Sequence, residues 1–264
     1  MSTATASTGT TGQAQATGVY VYGIVPEDVE TDPEAHGVGG ESATVTVVRH
    51  GRIAALVTEL DLDRPLGTPD DLLGHERLLD ATAAVVPVLP ARFGAVLADR
   101  QATVDELLAP NHDWFAAALR ELEGKAEYVV RARYVEGAVL REVIESDPAL
   151  ERLRARIRDK PEETTRSERI ALGEAINTAI DARRQADGGR VAQAIEPSAA
   201  GVIVRDAAGE LDAANVAVLA ETSREPELVQ VVEGLARDWA GRVEVRLLGP
   251  LAPYDFVADL RPGE

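Results

Sequence analysis

A single guanidinium stands in the least polar stretch of this chain of 264 residues. In VVPVLPARFGAVLA, Val85 to Ala98, Arg92 is the one charged side chain, next to Phe93 and Gly94. A charged group in apolar surroundings needs either a partner or water. Arginine offers five donors in a planar fork, so one residue can hold a carboxylate and several carbonyls. Arg92 is therefore either an anchor that ties elements together or the cation of an anion pocket. No helper residue of matching chemistry lies near it in sequence, so the anchor is the expectation. Phe93 should then pack in the core, and Gly94 should let the backbone turn.

The other reactive residue types form no recognisable set. The histidines, His36, His50, His75 and His112, fall at no helical ligand spacing, and His75-Glu76 is followed by Arg77 and Leu78 with no histidine at Leu79. Surface or half-buried positions are expected for all of them. There is no cysteine, which excludes thiol catalysis, disulfides and zinc ribbons. No G-x-S-x-G elbow, phosphate loop or dinucleotide fingerprint occurs. GVGG, Gly37 to Gly40, lies in an acidic loop and reads as a flexible connection. The alternating carboxylates Glu59, Asp61 and Asp63, and Glu121 with Glu123, read as solvated in so acidic a chain. No catalytic residue, metal ligand set or cofactor site is expected. RLRARIRDK, Arg152 to Lys160, looks basic, yet residues 141–169 carry eight Lys or Arg against eight Asp or Glu. A helix laced with ion pairs is the expectation there, with a partner surface as the other reading.

A net charge of −18 disfavours nucleic acid and anionic membrane surfaces. It suits a protein kept soluble by repulsion, or one that meets a basic partner. Apolar content of 45% allows a substantial core, and aromatic content of 4% makes that core mostly aliphatic. MSTATASTGTTGQAQATG lacks the basic and apolar regions of a signal peptide, so residues 1–18 read as a disordered tail. Pro87, Pro90, Arg92 and Gly94 argue against a lipid-facing helix over 81–98. A buried strand with flanking turns is expected there.

The elements that must position these residues follow in order. Val19–Val25 reads as a central strand, and Thr44–Val48 with Arg52–Leu60 reads as a hairpin around His50-Gly51. Thr68, Pro69, Asp70 and Asp71 start a helix over 69–84. Thr103 and Glu106 predict a capping box for a helix ending near Gly124. In EYVVRARYV, Tyr128, Val130, Ala132 and Tyr134 share one strand face, with Arg131 and Arg133 on the other. A helical region follows, restarted at Ser146-Asp147-Pro148 and at Thr165, closed by Gly188-Gly189, with a short helix over 191–196. GVIVRD and NVAVLAE read as strands, 224–240 as a helix, and 242–248 as a strand. The fold class is α+β. An N-terminal α/β domain with a mixed or antiparallel sheet spans 19–126. A ferredoxin-like βαββαβ domain with an enlarged first crossover spans 127–250, and 251–264 forms a C-terminal tail.

VYVYGIV, the HE pair, VPVLPARFG and LLGPLAPYDFV occur in an order that resembles the gas vesicle protein F/L family, over about residues 19–258. Leu89, Pro90, Arg92, Phe93 and Gly94 carry one element of the resemblance. Gly249, Pro250, Pro253, Tyr254 and Phe256 carry the other. Leu251 and Ala252 depart from the family's tryptophan and first proline. Asp255 replaces a common serine, which would soften a packing contact. The resemblance implies a two-domain cytoplasmic protein associated with gas vesicles, with a modified ferredoxin-like C-terminal domain and no known catalysis or cofactor. It also implies contact with the small apolar shell protein and with other accessory proteins during assembly. The alternative is a small-molecule-binding regulator or enzyme with an anion pocket at Arg92.

Overall fold

The structure is a computed structural model that describes residues 17–40, 43–63 and 65–257. Of the tail expected over 1–18, only Thr17 and Gly18 are described, and they open the first strand; 258–264 of the C-terminal tail also lie outside the described residues. The chain forms two compact units: Met1–Leu78 with Ala91–Ala116, and Leu79–Pro90 with Ala117–Glu264.

The first sheet is built on β1 (Thr17–Pro26), buried on both faces from Gly18 to Val25, as a strand with neighbours on each side should be. β2 (Thr46–His50) and β3 (Ile53–Asp61) form the expected hairpin. His50 pairs with Ile53, so the loop is Gly51-Arg52, one residue later than expected, with Gly51 at φ 58°. α1 (Pro69–Ala83) starts as its sequence predicts. Asp71 N–H donates to Thr68 Oγ1 and Thr68 N–H donates to Asp71 Oδ2, both at 3.2 Å, a reciprocal cap.

The apolar run after α1 is not one buried strand. It yields two short pieces, β4 (Leu89–Pro90) and β5 (Val96–Leu97), joined by a loop. Pro87 and Pro90 donate no hydrogen bond, and Gly94 takes φ +91°, so the run cannot sustain a ladder. The strand order is β2-β3-β1-β4, with β5 also on β1. The next helix starts earlier than expected. α2 (Arg100–Ala102) leads through a π-helical turn, Thr103–Leu108, into α3 (Ala109–Glu121). Its cap is Asp99, whose Oδ1 accepts from Ala102 N–H at 2.7 Å, while Thr103 is buried and donates back to the Asp99 carbonyl.

The second unit follows the expected order. β6 (Lys125–Tyr134) leads into α4 (Ala138–Ser146), α5 (Pro148–Ile157) and α6 (Arg166–Ile195). Then come β7 (Gly201–Val204), β8 (Asp212–Glu221), α7 (Glu225–Asp238) and β9 (Val243–Leu251). The sheet order β7-β8-β6-β9, antiparallel throughout, is that of a ferredoxin-like βαββαβ unit with three helices in its first crossover. Tyr128, Val130, Ala132 and Tyr134 meet Val191 and Ile195 of α6 and Leu228 and Val232 of α7 in one core. Each such fully buried aliphatic side chain contributes roughly 1.5–3 kcal/mol. Gly188-Gly189 does not end α6, which runs on through the residues expected to form a separate helix. A Cβ on Gly188 would stand 3.3 Å from Val204 Cγ1, so this glycine serves close packing against β7 rather than a stop. The stretch after β9 is packed rather than loose: Ala252, Pro253 and Phe256 are buried.

A charged network closes the end of this core. Arg242 donates to Glu142 Oε2 at 2.7 Å and to both oxygens of Asp187, at 3.2 and 2.6 Å. Tyr134 Oη donates to Asp187 Oδ2 at 2.8 Å, and Arg183 reaches Glu142 and Ser146. Burial, then the hydrogen bond to Asp187, pushes the Tyr134 phenol well above its usual value, so it stays a donor. Asp187 is only 4% exposed at its side chain and accepts three bonds. Asp187→Ala would leave Arg242 and Tyr134 partly desolvated and unpaired. The expected cost is about 3–5 kcal/mol in a urea melt, against about 1 kcal/mol for Tyr134→Phe. Equal losses would contradict this account.

Candidate functional site

Arg92 does not anchor anything buried. Its side chain is exposed, and among the described residues it forms no ion pair or hydrogen bond. The loop around it is held by backbone and ring contacts instead. Ala91 N–H donates to the Tyr22 carbonyl at 2.8 Å, and Gly94 N–H donates to Tyr20 Oη at 3.2 Å. Phe93 is half-buried, with its ring centroid 5.8 Å from Tyr20 and 5.6 Å from His75, both edge-on.

His75 is buried, 2% exposed, rather than at the surface or half-buried as expected. Tyr20 Oη stands 2.9 Å from His75 Nδ1. The hydroxyl already accepts from Gly94, so its proton goes to Nδ1. The imidazole also bonds the Ala91 backbone, which makes Nε2–H the donor of a neutral ring. Burial lowers the His75 pKa, which favours the neutral ring. Burial also pushes the Tyr20 phenol up to about 12. Beside it, Tyr22 Oη accepts from Val38 N–H and donates to Thr58 Oγ1, at 2.8 and 2.9 Å. These tyrosines and this histidine, rather than Arg92, fix the Leu89–Gly94 element. The HE pair was the one visible sign of His75, and nothing local signalled its burial.

The closing element is held by charge. Glu127, 2% exposed, accepts from Arg205 Nη2 at 2.6 Å and from Asp255 N–H at 3.2 Å, and Arg205 Nε also donates to the Asp255 carboxylate. Two carboxylates thus share one guanidinium. Burial pushes Glu127 up to about 7, and the neighbouring Asp255 charge adds to this; the Asp255 N–H and Arg205 oppose it. Asp255 does not soften the element but pairs within it. Phe256 lies over Gly201, where a Cβ would come within 2.9 Å of the ring, so any larger residue there would displace it. Ala252 N–H donates to Asp80 Oδ1 at 2.9 Å. Pro253 is buried, while Tyr254 is 40% exposed. Gly249, at φ +137°, and Pro250 lie just before Leu251, the last residue of β9.

The basic helix α5 also differs from expectation. Asp147 caps it, accepting from Ala149 N–H at 2.7 Å. Arg152 Nε donates to the Pro148 carbonyl, and Arg152, Arg154, Arg156 and Arg158 form no ion pair among the described residues. A shallow, open groove is lined on α5 by Ala149, Arg152, Leu153, Ala155 and Arg156, an apolar strip edged by cations. No group of three or more His, Asp or Glu among the described residues is placed to hold a metal ion. No described helix is long and apolar enough to cross a membrane.

The family model described as gas vesicle synthesis protein GvpL/GvpF matches residues 18–258. Gas vesicle protein F of Streptomyces sp. (strain CB03234) is 31% identical over 240 residues, covering 90% of this chain and 98% of that protein. Gas vesicle protein L of the same organism is 29% identical, covering 90% and 91%. The crystal structure of the gas vesicle protein GvpF from Anabaena sp. PCC7120 superposes with a TM-score of 0.76 at 25% identity, covering 91% of this chain and 98% of that one.

Tyr20→Phe removes the acceptor of Gly94 N–H and the donor to His75. It should destabilise the fold by about 1–3 kcal/mol and speed amide exchange at Gly94; unchanged exchange would contradict the latch. Glu127 has a folded pKa of about 7, above its ordinary 4.5. Its stabilisation is then complete below the unfolded value and is lost as pH rises through the folded one. The stability difference between wild type and Glu127→Gln should fall across that window in denaturant titrations. A flat difference would refute the shift.

Proposed function

The chain belongs to the gas vesicle synthesis protein GvpL/GvpF family, and on that premise we propose that it is a non-enzymatic accessory protein of gas vesicle assembly. It works in the cytoplasm, at the gas vesicle, and binds the small apolar shell protein and other accessory proteins. The observation that carries this reading is the family match over residues 18–258, which includes both the Leu89–Gly94 and the Gly249–Phe256 elements. The polar side chains that hold those elements support it, since Tyr20 engages His75 in the first unit, and Glu127 engages Arg205 and Asp255 in the second. An exposed Arg92 on a loop gives little support to the alternative of an anion pocket there.

The physical case rests on solubility. A subunit with a bare apolar face aggregates unless a soluble protein covers it, and a charge of −18 keeps such an escort dispersed. The α5 groove, apolar along Ala149 and Leu153 and edged by Arg152 and Arg156, suits an amphipathic segment with acidic flanks.

Omitting this chain from a reconstituted gas vesicle gene set should abolish or sharply reduce buoyant vesicles, counted by electron microscopy. Co-expressed shell protein should co-purify with the chain. Normal vesicle yield without it, together with no shell protein in the eluate, would refute the proposal.

A further inference from the structure

The register of the second sheet arranges its non-core face in transverse rows. Gly201, Leu219, Glu127 and Leu251 form the row beneath the closing element. Next comes an apolar row, Ile203, Ala217, Val129 and Leu248, of which Leu248 is 42% exposed. The third row is basic. Arg131 faces Asn215 on β8 and Arg246 on β9, and Arg205 N–H bonds the Asn215 carbonyl at the far side. In the fourth row Arg133 faces Asp212 and Glu244.

The third row is costly as it stands. Like charges directly opposite on neighbouring strands, with Cβ atoms about 5 Å apart, destabilise a sheet. Arg133 has two carboxylates opposite it, but Arg131 has a second arginine. Among the described residues Arg131 forms no ion pair, and Arg246 reaches only Glu244, at 3.9 Å with both side chains well exposed, which contributes little. Asn215 Oδ1 is buried and accepts no hydrogen bond among the described residues. Arg131, Ala132, Arg133, Asp212, Glu244 and Arg246 line a cavity of about 210 Å³, all within the second unit.

We propose that the Arg131–Arg246 pair is a docking notch for a carboxylate side chain of an acidic, apolar-flanked segment of a protein partner. Two guanidinium forks converging on one carboxylate convert a repulsive pair into charge-assisted hydrogen bonds. The cavity holds a side-chain carboxylate and is too small for a nucleotide. Leu248, the exposed end of the adjoining row, receives the neighbouring apolar residue. Asp212 and Glu244 at the rim turn away multiply charged anions. This site is independent of the shell-binding role proposed above.

The test uses the full chain and a fluorescein-labelled peptide of alternating leucine and glutamate, with its leucine–glutamine analogue as control. Anisotropy should show saturable binding of the glutamate peptide, and binding of the glutamine peptide at least about tenfold weaker. Arg131→Gln and Arg246→Gln should each weaken binding about tenfold while leaving the thermal midpoint unchanged or raised, since a repulsion is removed. Arg237→Gln on α7, an exposed arginine outside both sites, should leave binding unchanged. Equal binding of the two peptides, or binding indifferent to Arg131→Gln, would overturn the proposal. Displacement by inorganic phosphate as effective as by unlabelled peptide would make this a free-oxyanion site and overturn the assignment to a protein segment. A lowered midpoint in Arg131→Gln would mark the pair as structural and overturn it as well.

Discussion

The alternation of β6 is the constraint on which the second unit depends. The strand pairs with β8 on one side and β9 on the other, so its residues divide strictly between two faces. Tyr128, Val130, Ala132 and Tyr134 fill the core; Glu127, Val129, Arg131 and Arg133 take the other face. A slip of one residue would exchange the two sets and drive two arginines into aliphatic surroundings. Unpaired burial of that kind costs several kcal/mol per charge, so the register is strongly specified. The two charged networks sit at opposite ends of this strand, one on each face: Tyr134 reaches Asp187, and Glu127 reaches Arg205.

Those networks bury carboxylates in different company. Asp187 accepts a tyrosine hydroxyl and two arginine N–H bonds, and its nearest competitor for Arg242, Glu142, has Arg183 as a second partner. Glu127 shares Arg205 with Asp255, and among the described residues no second cation joins them. One guanidinium between two carboxylates leaves a net negative charge in a desolvated place, which is why burial wins over Arg205 and Glu127 is pushed upward. A neutral residue at Asp255 would remove that second charge, and it would change the proton affinity of Glu127 while Phe256 stayed seated over Gly201.

The order of elements was legible because each rests on local periodicity or capping. The αβ alternation of the second unit, the Thr68 cap and the Asp147 start can be read within a few residues. What failed to read locally depended on distant partners. Asp99 rather than Thr103 caps the next helix, because Thr103 is drawn inward. Gly188 resembles a terminator until β7 is laid against α6. Arg92 drew attention by its apolar neighbours in sequence, yet two prolines and a glycine bend that run into a loop and leave the guanidinium in water. His75, which holds that loop, looked ordinary, because its partners Tyr20 and Ala91 lie far away in sequence. Linear context reports hydrophobicity along the chain, whereas burial of a polar group is decided by which strands stack over it.

The same distinction applies to charge. A total of −18 describes the field felt at long range and keeps copies of the chain apart. At physiological salt that field decays over about 8 Å, so contact chemistry is set by the few groups within that reach. Within it, the arginines of α5 and the Arg131–Arg246 pair meet no carboxylate partner closer than the exposed Glu244 among the described residues. Long-range repulsion and local clusters of guanidinium groups therefore coexist on one molecule. An acidic chain is not acidic everywhere: in the cavity at Arg131, Arg133 and Arg246, three guanidinium groups meet two carboxylates, Asp212 and Glu244.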